Sequence, residues 1–321
     1  MRKIKVWKLV ADSLHREIPV MLLYVLESKG SSPGRQGFHM AVNAAGEMDG
    51  SVGGGIMEHK LVELAKEKLQ DPSFLPQLKK QVHDKSAAAN QSGMICSGEQ
   101  TIWTGLVKKE DRAAITALLY SLETHGNGTL QLSPAGISFI EKAPEQDFSF
   151  HFQSEDDWLY TEKTGCKNTL VIVGGGHCSL ALSELMRPMN FYIHVLDDRP
   201  GLKTMEENSA AHTRQVIGSY SELSAHIPPG PAAYVVIMTF GYRTDEEAMR
   251  ALANHSFRYL GILGSQKKMA KLLDAFRQEG MDEAWLQRIH TPIGLAINSR
   301  TPEEIAVSIA AEIIREKNKT P

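Results

Sequence analysis

The stretch Thr169–Pro200, with the sequence TLVIVGGGHCSLALSELMRPMNFYIHVLDDRP, carries the clearest structural signal in the chain. Its apolar run Leu170–Val173 predicts a strand that leads into three glycines, Gly174–Gly176. An amphipathic helix and a second strand ending at Asp197 and Asp198 follow. This order is typical of a nucleotide-binding βαβ unit, whose glycines allow a tight turn and bring backbone N–H groups close to a phosphate.

Candidate binding residues surround this turn. Gly174 and Gly176 fill the first two glycine positions of the dinucleotide fingerprint, and Ser179 stands where the third is expected. We expect a phosphate-bearing cofactor to lie against the turn, which consists of Gly174, Gly175, Gly176 and His177. Asp197 is predicted to lie near a ribose hydroxyl, and Asp198 and Arg199 are predicted at the same edge of the sheet, where open α/β sheets bind ligands.

Composition excludes several classes of protein. The chain has 321 residues, which suits two domains, and its 42% hydrophobic and 23% charged residues are typical of a soluble globular protein. A net charge of −3 without a basic stripe argues against nucleic-acid binding. No apolar run reaches the roughly 20 residues of a membrane span, so we expect no membrane association.

The cysteines and the N-terminus indicate a cytoplasmic protein. The chain has three scattered cysteines and no CxxC pair, which is typical of reduced thiols. Near the N-terminus, apolar residues recur at helical spacing, which predicts a core-facing helix over residues 4–16 rather than a secretory signal. The twelve histidines show no HxH or HExxH spacing, so the pattern does not predict a zinc or iron site built by the protein.

Two domains are predicted, residues 1–155 and residues 166–321, with a polar linker near residues 153–167. The first is predicted as an α/β domain with a hairpin that turns near residues 43–46. In the second, strands alternate with helices, which indicates a doubly wound parallel sheet covered by helices on both faces.

An ordered set of short motifs spans nearly the whole chain and resembles the XdhC/CoxI-type proteins, the xanthine dehydrogenase accessory (maturation) factors. In the first half these motifs are GSSPGRQG (Gly30–Gly37) with Met40, GSVGGG (Gly50–Gly55) with Glu58, and GMICSG (Gly93–Gly98). In the second half they are VGGGH (Val173–His177), LDDRP (Leu196–Pro200), LGILGS (Leu260–Ser265) with Lys267 and Lys268, and TPIGLAINSRTPEEIAVSI (Thr291–Ile309). The chain departs from the family pattern at three positions. Ser97 stands where the family usually has a glycine, and Ser179 replaces the third fingerprint glycine. Phe240 stands where the family often has a histidine.

The resemblance implies a Rossmann-like second domain and a helper for molybdenum hydroxylases. Such a protein would bind the molybdopterin-type molybdenum cofactor, assist its sulfuration with a cysteine desulfurase and deliver it to a xanthine dehydrogenase-type apo-enzyme. We also expect a homo-oligomer. The second domain resembles NAD-binding domains, and the sequence leaves open whether it binds NAD, NADP, a molybdopterin dinucleotide or nothing. Gly264 and Ser265 of the LGILGS motif are further candidates for cofactor contacts.

Cys96 is the candidate for handling molybdenum or sulfur, because a thiolate is a suitable soft ligand for this metal. The alternative is a buried structural thiol, which is the interpretation for Cys166 and Cys178. The glycines Gly53, Gly54 and Gly55 either present N–H groups to a pterin phosphate or are needed for a turn whose backbone conformation other residues adopt only with strain. Glu58 either bonds a pterin edge or complements the helix dipole.

Two other functions compete with the accessory role. The chain could be an NAD(P)-dependent oxidoreductase in which His177 acts as acid and base, or a redox subunit of xanthine dehydrogenase. We find no pairing of a catalytic residue with a substrate-binding arginine, and no cysteine set for an iron–sulfur cluster.

Overall fold

The computed structural model describes residues 2–71, 74–82, 98–253 and 255–319. The chain is a mixed α/β protein that divides into two compact units, Met1–Gly165 and Cys166–Pro321. No helix in the described part of the chain combines the length and the apolar character that crossing a membrane requires.

The first unit contains three α-helices and nine strands within the described ranges. The helices are α1 (Arg2–His15), α2 (Gly55–Lys68) and α3 (Arg112–Glu123). The strands are β1 (Val20–Gly30), β2 (His39–Asn43), β3 (Met48–Gly50), β4 (Gln77–Val82), β5 (Gly98–Leu106), β6 (Gly128–Ser133), β7 (Gly136–Ile140), β8 (Phe148–Ser154) and β9 (Asp157–Thr164).

These strands form two antiparallel sheets, one in the order β3-β2-β1-β5-β4 and one in the order β7-β6-β9-β8. The central strand β1 is buried from Val20 to Leu26, because both of its faces are covered. One face packs in a core with α1, α3 and the second sheet, and the other packs against α2. The predicted hairpin is confirmed as β2 and β3.

The second unit contains seven α-helices and five strands within the described ranges. The helices are α4 (His177–Met186), α5 (Lys203–Glu206), α6 (Leu223–His226), α7 (Tyr242–Leu252), α8 (Gln266–Gln278), α9 (Glu283–Leu286) and α10 (Pro302–Asn318). The strands are β10 (Asn168–Val173), β11 (Phe191–Asp197), β12 (Thr213–Val216), β13 (Gly230–Ile237) and β14 (Phe257–Ile262).

All five strands of the second unit are parallel, in the order β12-β11-β10-β13-β14. Alternate residues of β10 enter opposite cores: Leu170 and Ile172 pack with α4 and α10, and Val171 and Val173 pack with α7 and α8. The doubly wound parallel sheet is therefore confirmed. The strand order reverses beside β10, and such a switch point is where open α/β sheets bind ligands.

The boundary between the two units lies within the predicted junction near residues 153–167, but residues 157–164 are not a linker, because they form β9 in the middle of the second sheet. The first unit thus extends past the predicted boundary at residue 155. Alternate residues of β9, Trp158, Tyr160 and Glu162, are buried. Charged and polar residues lie before and between these buried positions, so the composition of the segment resembled that of a linker.

Candidate functional site

The glycine turn of the second unit joins β10 to α4, and each glycine has a different environment. Gly174 has a φ of +109°, and a Cβ there would lie 2.3 Å from the carbonyl oxygen of Met238. A Cβ on Gly175 would lie 3.2 Å from Leu202. A Cβ on Gly176 would have no atom within 4 Å, so of these three glycines it is the one that faces open space. The turn therefore combines a close approach to the residue that follows β13 with an accessible backbone at Gly176.

Asp197 anchors this turn from the end of β11. Its side chain is fully buried, and its two oxygens accept four hydrogen bonds. The Gly175 amide donates at 2.6 Å, and Arg199 donates from its amide, Nε and Nη2 at 2.9, 2.9 and 2.7 Å. Burial by itself would raise the pKa of Asp197, but these hydrogen bonds outweigh it and hold the pKa below its usual value. The acceptor positions predicted to meet a ribose are thus occupied by the protein.

Asp198, Arg199 and Phe240 form the accessible edge beside the turn. Asp198 is half-buried, and its amide donates to the hydroxyl of Tyr220 at 3.4 Å. The guanidinium carbon of Arg199 lies 5.7 Å from the ring centre of Phe240. Phe240 follows β13 and is 88% exposed. An exposed aromatic ring, a fixed guanidinium and a carboxylate therefore occupy the carboxyl ends of β11 and β13, on either side of the glycine turn.

The first residues of α4 differ in their accessibility. His177 is exposed, and no hydrogen bond fixes its ring within the described ranges. Burial and the charge of Glu303 raise the pKa of the Cys178 thiol, which makes it a poor nucleophile. Ser179 is fully buried, and its hydroxyl has no hydrogen-bond partner in the described part of the chain. The serine thus fills the space that the third fingerprint glycine would leave for helix–sheet packing.

Gly264 and Ser265 lie after β14, two strands away from the turn. Ser265 caps α8, because its hydroxyl accepts a hydrogen bond from the Lys268 amide at 3.4 Å. The Lys268 ammonium lies 2.7 Å from Oδ2 of the buried Asp245, which also accepts hydrogen bonds from Thr239. Ser265 thus caps the helix that follows β14, and Lys268 links this helix through Asp245 to the segment that follows β13.

In the first unit, the glycine motifs meet at one place. Gln100, buried on β5, donates from Nε2 to the carbonyl of Gly34 at 2.9 Å and to the carbonyl of Val52 at 3.1 Å. A Cβ on Gly53 would lie 2.8 Å from the amide nitrogen of Gly34. A Cβ on Gly98 would lie 2.6 Å from the backbone of Ser31. The GSSPGRQG loop, the GSVGGG loop and the end of the GMICSG motif are therefore in direct contact.

Glu58 closes the GSVGGG loop from the first turn of α2. Its Oε2 accepts hydrogen bonds from the Ser51 hydroxyl at 2.6 Å and from the amides of Val52 and Gly54 at 2.8 and 3.0 Å. Burial would raise the pKa of Glu58, but these donors outweigh it and lower the pKa. The Gly53 amide donates to Ser51 at 3.1 Å. The N–H groups that could have received a pterin phosphate are thus largely satisfied within the loop.

Two positioning residues of the first unit were missed from the sequence. Gln100 shares the buried face of β5 with Ile102, and the alternation of the strand could have revealed it. Glu162 of β9 accepts hydrogen bonds from the hydroxyls of Tyr24 and Tyr160 at 2.5 and 2.9 Å. It also lies 3.0 Å from where a Cβ of Gly37 would be. Nothing in the polar segment around Glu162 signals its burial. Cys96 and Ser97 lie outside the described residues, so the role of Cys96 stays a prediction.

Two family models match the chain over the regions that build these sites. The model of the XdhC and CoxI family matches residues 13–75, which include both glycine loops and Glu58. The model of the XdhC Rossmann domain matches residues 170–313. The chain belongs to the XdhC/CoxI family. The glycine turn, Asp197 to Arg199 and Phe240 all lie within its Rossmann domain.

Curated relatives support the same family. The chain is 25% identical over 305 residues to an uncharacterized Escherichia coli (strain K12) protein, YqeB, covering 94% of this chain and 44% of that protein. It is 27% identical over 170 residues to a probable xanthine dehydrogenase subunit of Bacillus subtilis (strain 168), covering 53% of this chain and 48% of that protein. The matched regions thus span less than half the length of these relatives.

The fold is also that of a solved structure. The crystal structure of a xanthine dehydrogenase from Bacillus halodurans matches with a TM-score of 0.72 and 23% identity. The match covers 100% of this chain and 97% of that one. The fold of this chain is therefore also found in an experimentally determined structure.

Proposed function

We propose that this XdhC/CoxI protein is a maturation factor for a xanthine dehydrogenase-type molybdenum hydroxylase, which binds the molybdopterin cofactor and assists its sulfuration and insertion. The observation that carries the proposal is the contact among the three glycine motifs of the first unit through Gln100. Glycines at this contact let the loops pack backbone against backbone, which brings the exposed Ser31 and Arg35 of one loop beside the other two motifs. Family membership supplies the link to xanthine dehydrogenase.

The described residues offer the first unit several contacts for such a cargo. Arg35 is exposed and uses one N–H to hold the Gly30 carbonyl at 3.0 Å, which leaves other guanidinium donors for a phosphate. Ser31 is exposed beside Gly98. Glu58 holds its loop through Oε2, and its Oε1 makes no hydrogen bond to the described residues. Arg35 for a phosphate and Glu58 for a pterin edge are therefore the proposed cofactor contacts.

The proposal assigns molybdenum or sulfur handling to Cys96, two residues before Gly98 in the sequence. It also includes a cysteine desulfurase as sulfur donor, a homo-oligomeric state and activity in the cytoplasm, where thiols stay reduced. A thiolate holds a soft metal or accepts a sulfur, and a hydroxyl does neither at neutral pH.

Co-expression with a xanthine dehydrogenase-type apo-enzyme tests the role of Cys96. We expect Cys96→Ser to fold normally but to lower the sulfurated, active fraction of the dehydrogenase at least tenfold. The matched control is Cys178→Ser, which removes a thiol from the second unit and should leave activation unchanged. Activity, cyanide-labile sulfur of the dehydrogenase and any pterin that co-purifies with this chain are measured. Undiminished activation by folded Cys96→Ser protein would remove this residue from the function.

The second candidate function is an NAD(P)-dependent oxidoreductase or a redox subunit of xanthine dehydrogenase. The glycine turn favours it, because a Rossmann turn with an open Gly176 is suited to a dinucleotide. The two functions differ in turnover: the oxidoreductase would reduce NAD(P) with a substrate in the absence of the dehydrogenase, and the maturation factor would not.

A further inference from the structure

The outer face of α10 carries an apolar stripe, which consists of Val307, Ala311 and Ile314. Val307 and Ile314 are 49% and 37% exposed, and Ala311 is half-buried. Their spacing of four and three residues places them on one side of the helix. Between Glu304 and Arg315, the exposed residues of α10 are Val307 and Ile314. A surface helix normally has charged or polar residues on its outer face, so the stripe indicates a surface that a partner covers.

The two ends of the apolar stripe carry opposite charges. Glu303 and Glu304 are exposed in the first turn of α10, and Arg315 and Lys317 are exposed in its last turn. This distribution complements the helix dipole within a single copy of the chain. The dipole does not account for the exposed apolar residues between the charged ends, because apolar area stabilises a protein when it is removed from water. The surface is therefore acidic at one end, apolar in the middle and basic at the other end.

This surface is complementary to itself when two copies of α10 lie antiparallel. Glu303 and Lys317 lie roughly 11 and 10 Å along the axis from the midpoint of the stripe, at a rise of 1.5 Å per residue. A two-fold axis through that midpoint sets the stripe of one copy on the stripe of the other and brings each acidic end against a basic end. A parallel arrangement would bring like charges together. The charges therefore favour a second copy of this chain, in the antiparallel orientation, as the partner.

The helical positions also determine which charges meet. Since successive residues turn by about 100° around the axis, Glu303 and Lys317 lie on one side of the stripe. Glu304 and Arg315 lie on the other side. In the antiparallel pair, Glu303 thus meets Lys317 of the second copy, and each contact occurs twice because the interface is symmetric. Glu304 also caps α10, and Arg315 also bonds the buried Glu312, so an exchange of Glu303 and Lys317 is the more specific test.

We infer that the protein forms a two-fold symmetric dimer in which the apolar stripes of two antiparallel α10 helices pack against each other. The inference rests on the proposed function only in that it specifies the homo-oligomeric state included there, and it depends neither on Cys96 nor on a dehydrogenase. Glu303 interacts electrostatically with His177 at the start of α4. The second copy's Lys317, which meets Glu303, therefore lies near the glycine turn of the candidate site.

Sedimentation velocity of the full chain at about 1 and 100 µM tests the inference, because an interface formed by one helix of each copy is small and small interfaces are commonly weak. We expect mostly monomer at the lower concentration and mostly dimer at the higher one. Ile314→Ser should raise the dissociation constant of the dimer at least tenfold, because it removes apolar area from both sides of the interface. The matched control is Ile140→Ser, which makes the same change at a 47% exposed isoleucine of the first unit and should leave the dissociation constant unchanged.

An exchange of charges tests the antiparallel arrangement. Glu303→Lys and Lys317→Glu should each raise the dissociation constant at least tenfold, because like charges then meet at both ends of the interface. An equimolar mixture of the two variants should form a heterodimer with an affinity close to that of the wild-type dimer, because every charged end again meets the opposite sign. Glu145→Lys, which reverses the charge of an exposed glutamate in the first unit, should leave dimerisation unchanged. Circular dichroism verifies that each variant is folded.

The outcomes separate this inference from the maturation function. Wild-type protein that stays monomeric at the higher concentration, a dissociation constant that Ile314→Ser or Glu303→Lys leaves unchanged, or folded charge variants that form no heterodimer on mixing would each overturn it. These measurements use neither a cofactor nor a dehydrogenase. Failure of the Cys96 experiment would leave the dimer unaffected, and a monomeric protein would leave the role of Cys96 unaffected.

Discussion

At the residue scale, Asp197 illustrates how a fingerprint acid can serve the fold rather than the ligand. It ends β11 at the position where a ribose contact was predicted. Its carboxylate instead connects the Gly175 amide with Arg199. The neighbouring Asp198 is the carboxylate that remains accessible. A buried acceptor with four donors stabilises the turn because those donors would otherwise lose their partner on burial.

We predict that Asp197→Asn lowers the free energy of unfolding by about 2 kcal/mol at pH 7, because an amide cannot accept all four hydrogen bonds or compensate Arg199. The effect should depend on pH. Since the pKa of Asp197 is lowered in the folded protein, its contribution is complete above the unfolded value of about 3.9 and is lost as the pH falls through the folded value. Urea unfolding at pH 7 and below pH 4 measures both effects.

The matched control for this measurement is Asp156→Asn, which changes an exposed aspartate in a turn of the first unit. It should alter the free energy of unfolding by less than about 0.5 kcal/mol. A difference between wild-type protein and Asp197→Asn that stays constant with pH would contradict the assignment of a lowered pKa.

At the element scale, the connection between β10 and α4 contains two glycines that differ in whether the fold requires a glycine at that position. Gly174 has a positive φ and lies against the carbonyl of Met238, so it is required by the fold. Gly176 has a φ of −73°, which any residue adopts, and it faces open space. If Gly176 is there for a ligand, the two glycines should respond differently to the same substitution.

We predict that Gly174→Ala destabilises the protein by roughly 2–4 kcal/mol, because its Cβ would overlap the carbonyl oxygen of Met238, which directly follows β13. Gly176→Ala should fold with a melting temperature close to wild type, because its methyl group would meet no atom within 4 Å. Thermal unfolding of both variants checks this. A Gly176→Ala protein that is destabilised as much as Gly174→Ala would show that the fold requires both glycines.

At the scale of the whole molecule, each unit has its own hydrophobic cores. Two clusters of buried residues belong entirely to residues 6–160 and two entirely to residues 170–313. In the second unit these clusters cover both faces of one five-stranded sheet, which is the arrangement of an independently folding domain.

We therefore predict that residues 166–321, produced alone, unfold in one cooperative transition. Circular dichroism during urea unfolding measures this property, with the full chain as the reference. A fragment without a cooperative transition would show that the second unit needs the first in order to fold.

The sequence by itself determined the features that depend on local patterns. Alternation of apolar strands and amphipathic helices predicted the parallel second unit. Thr301, Pro302 and Glu304 form a local helix-start signal, and α10 begins there with a capping box of reciprocal hydrogen bonds. The glycine motifs predicted where the candidate sites lie. These features can be predicted from the sequence because each of their signals lies within a few consecutive residues.

Only the tertiary structure decided features that depend on contacts between distant segments. The charged segment around Glu162 becomes a strand because Tyr24 and Tyr160 supply buried hydroxyls to its carboxylate. Asp197 and Asp198 are identical neighbours in the sequence, and strand geometry directs them to opposite sides. Which of them is buried depends on the position of the Gly175 amide, which is 22 residues away in the chain and 2.6 Å away in space.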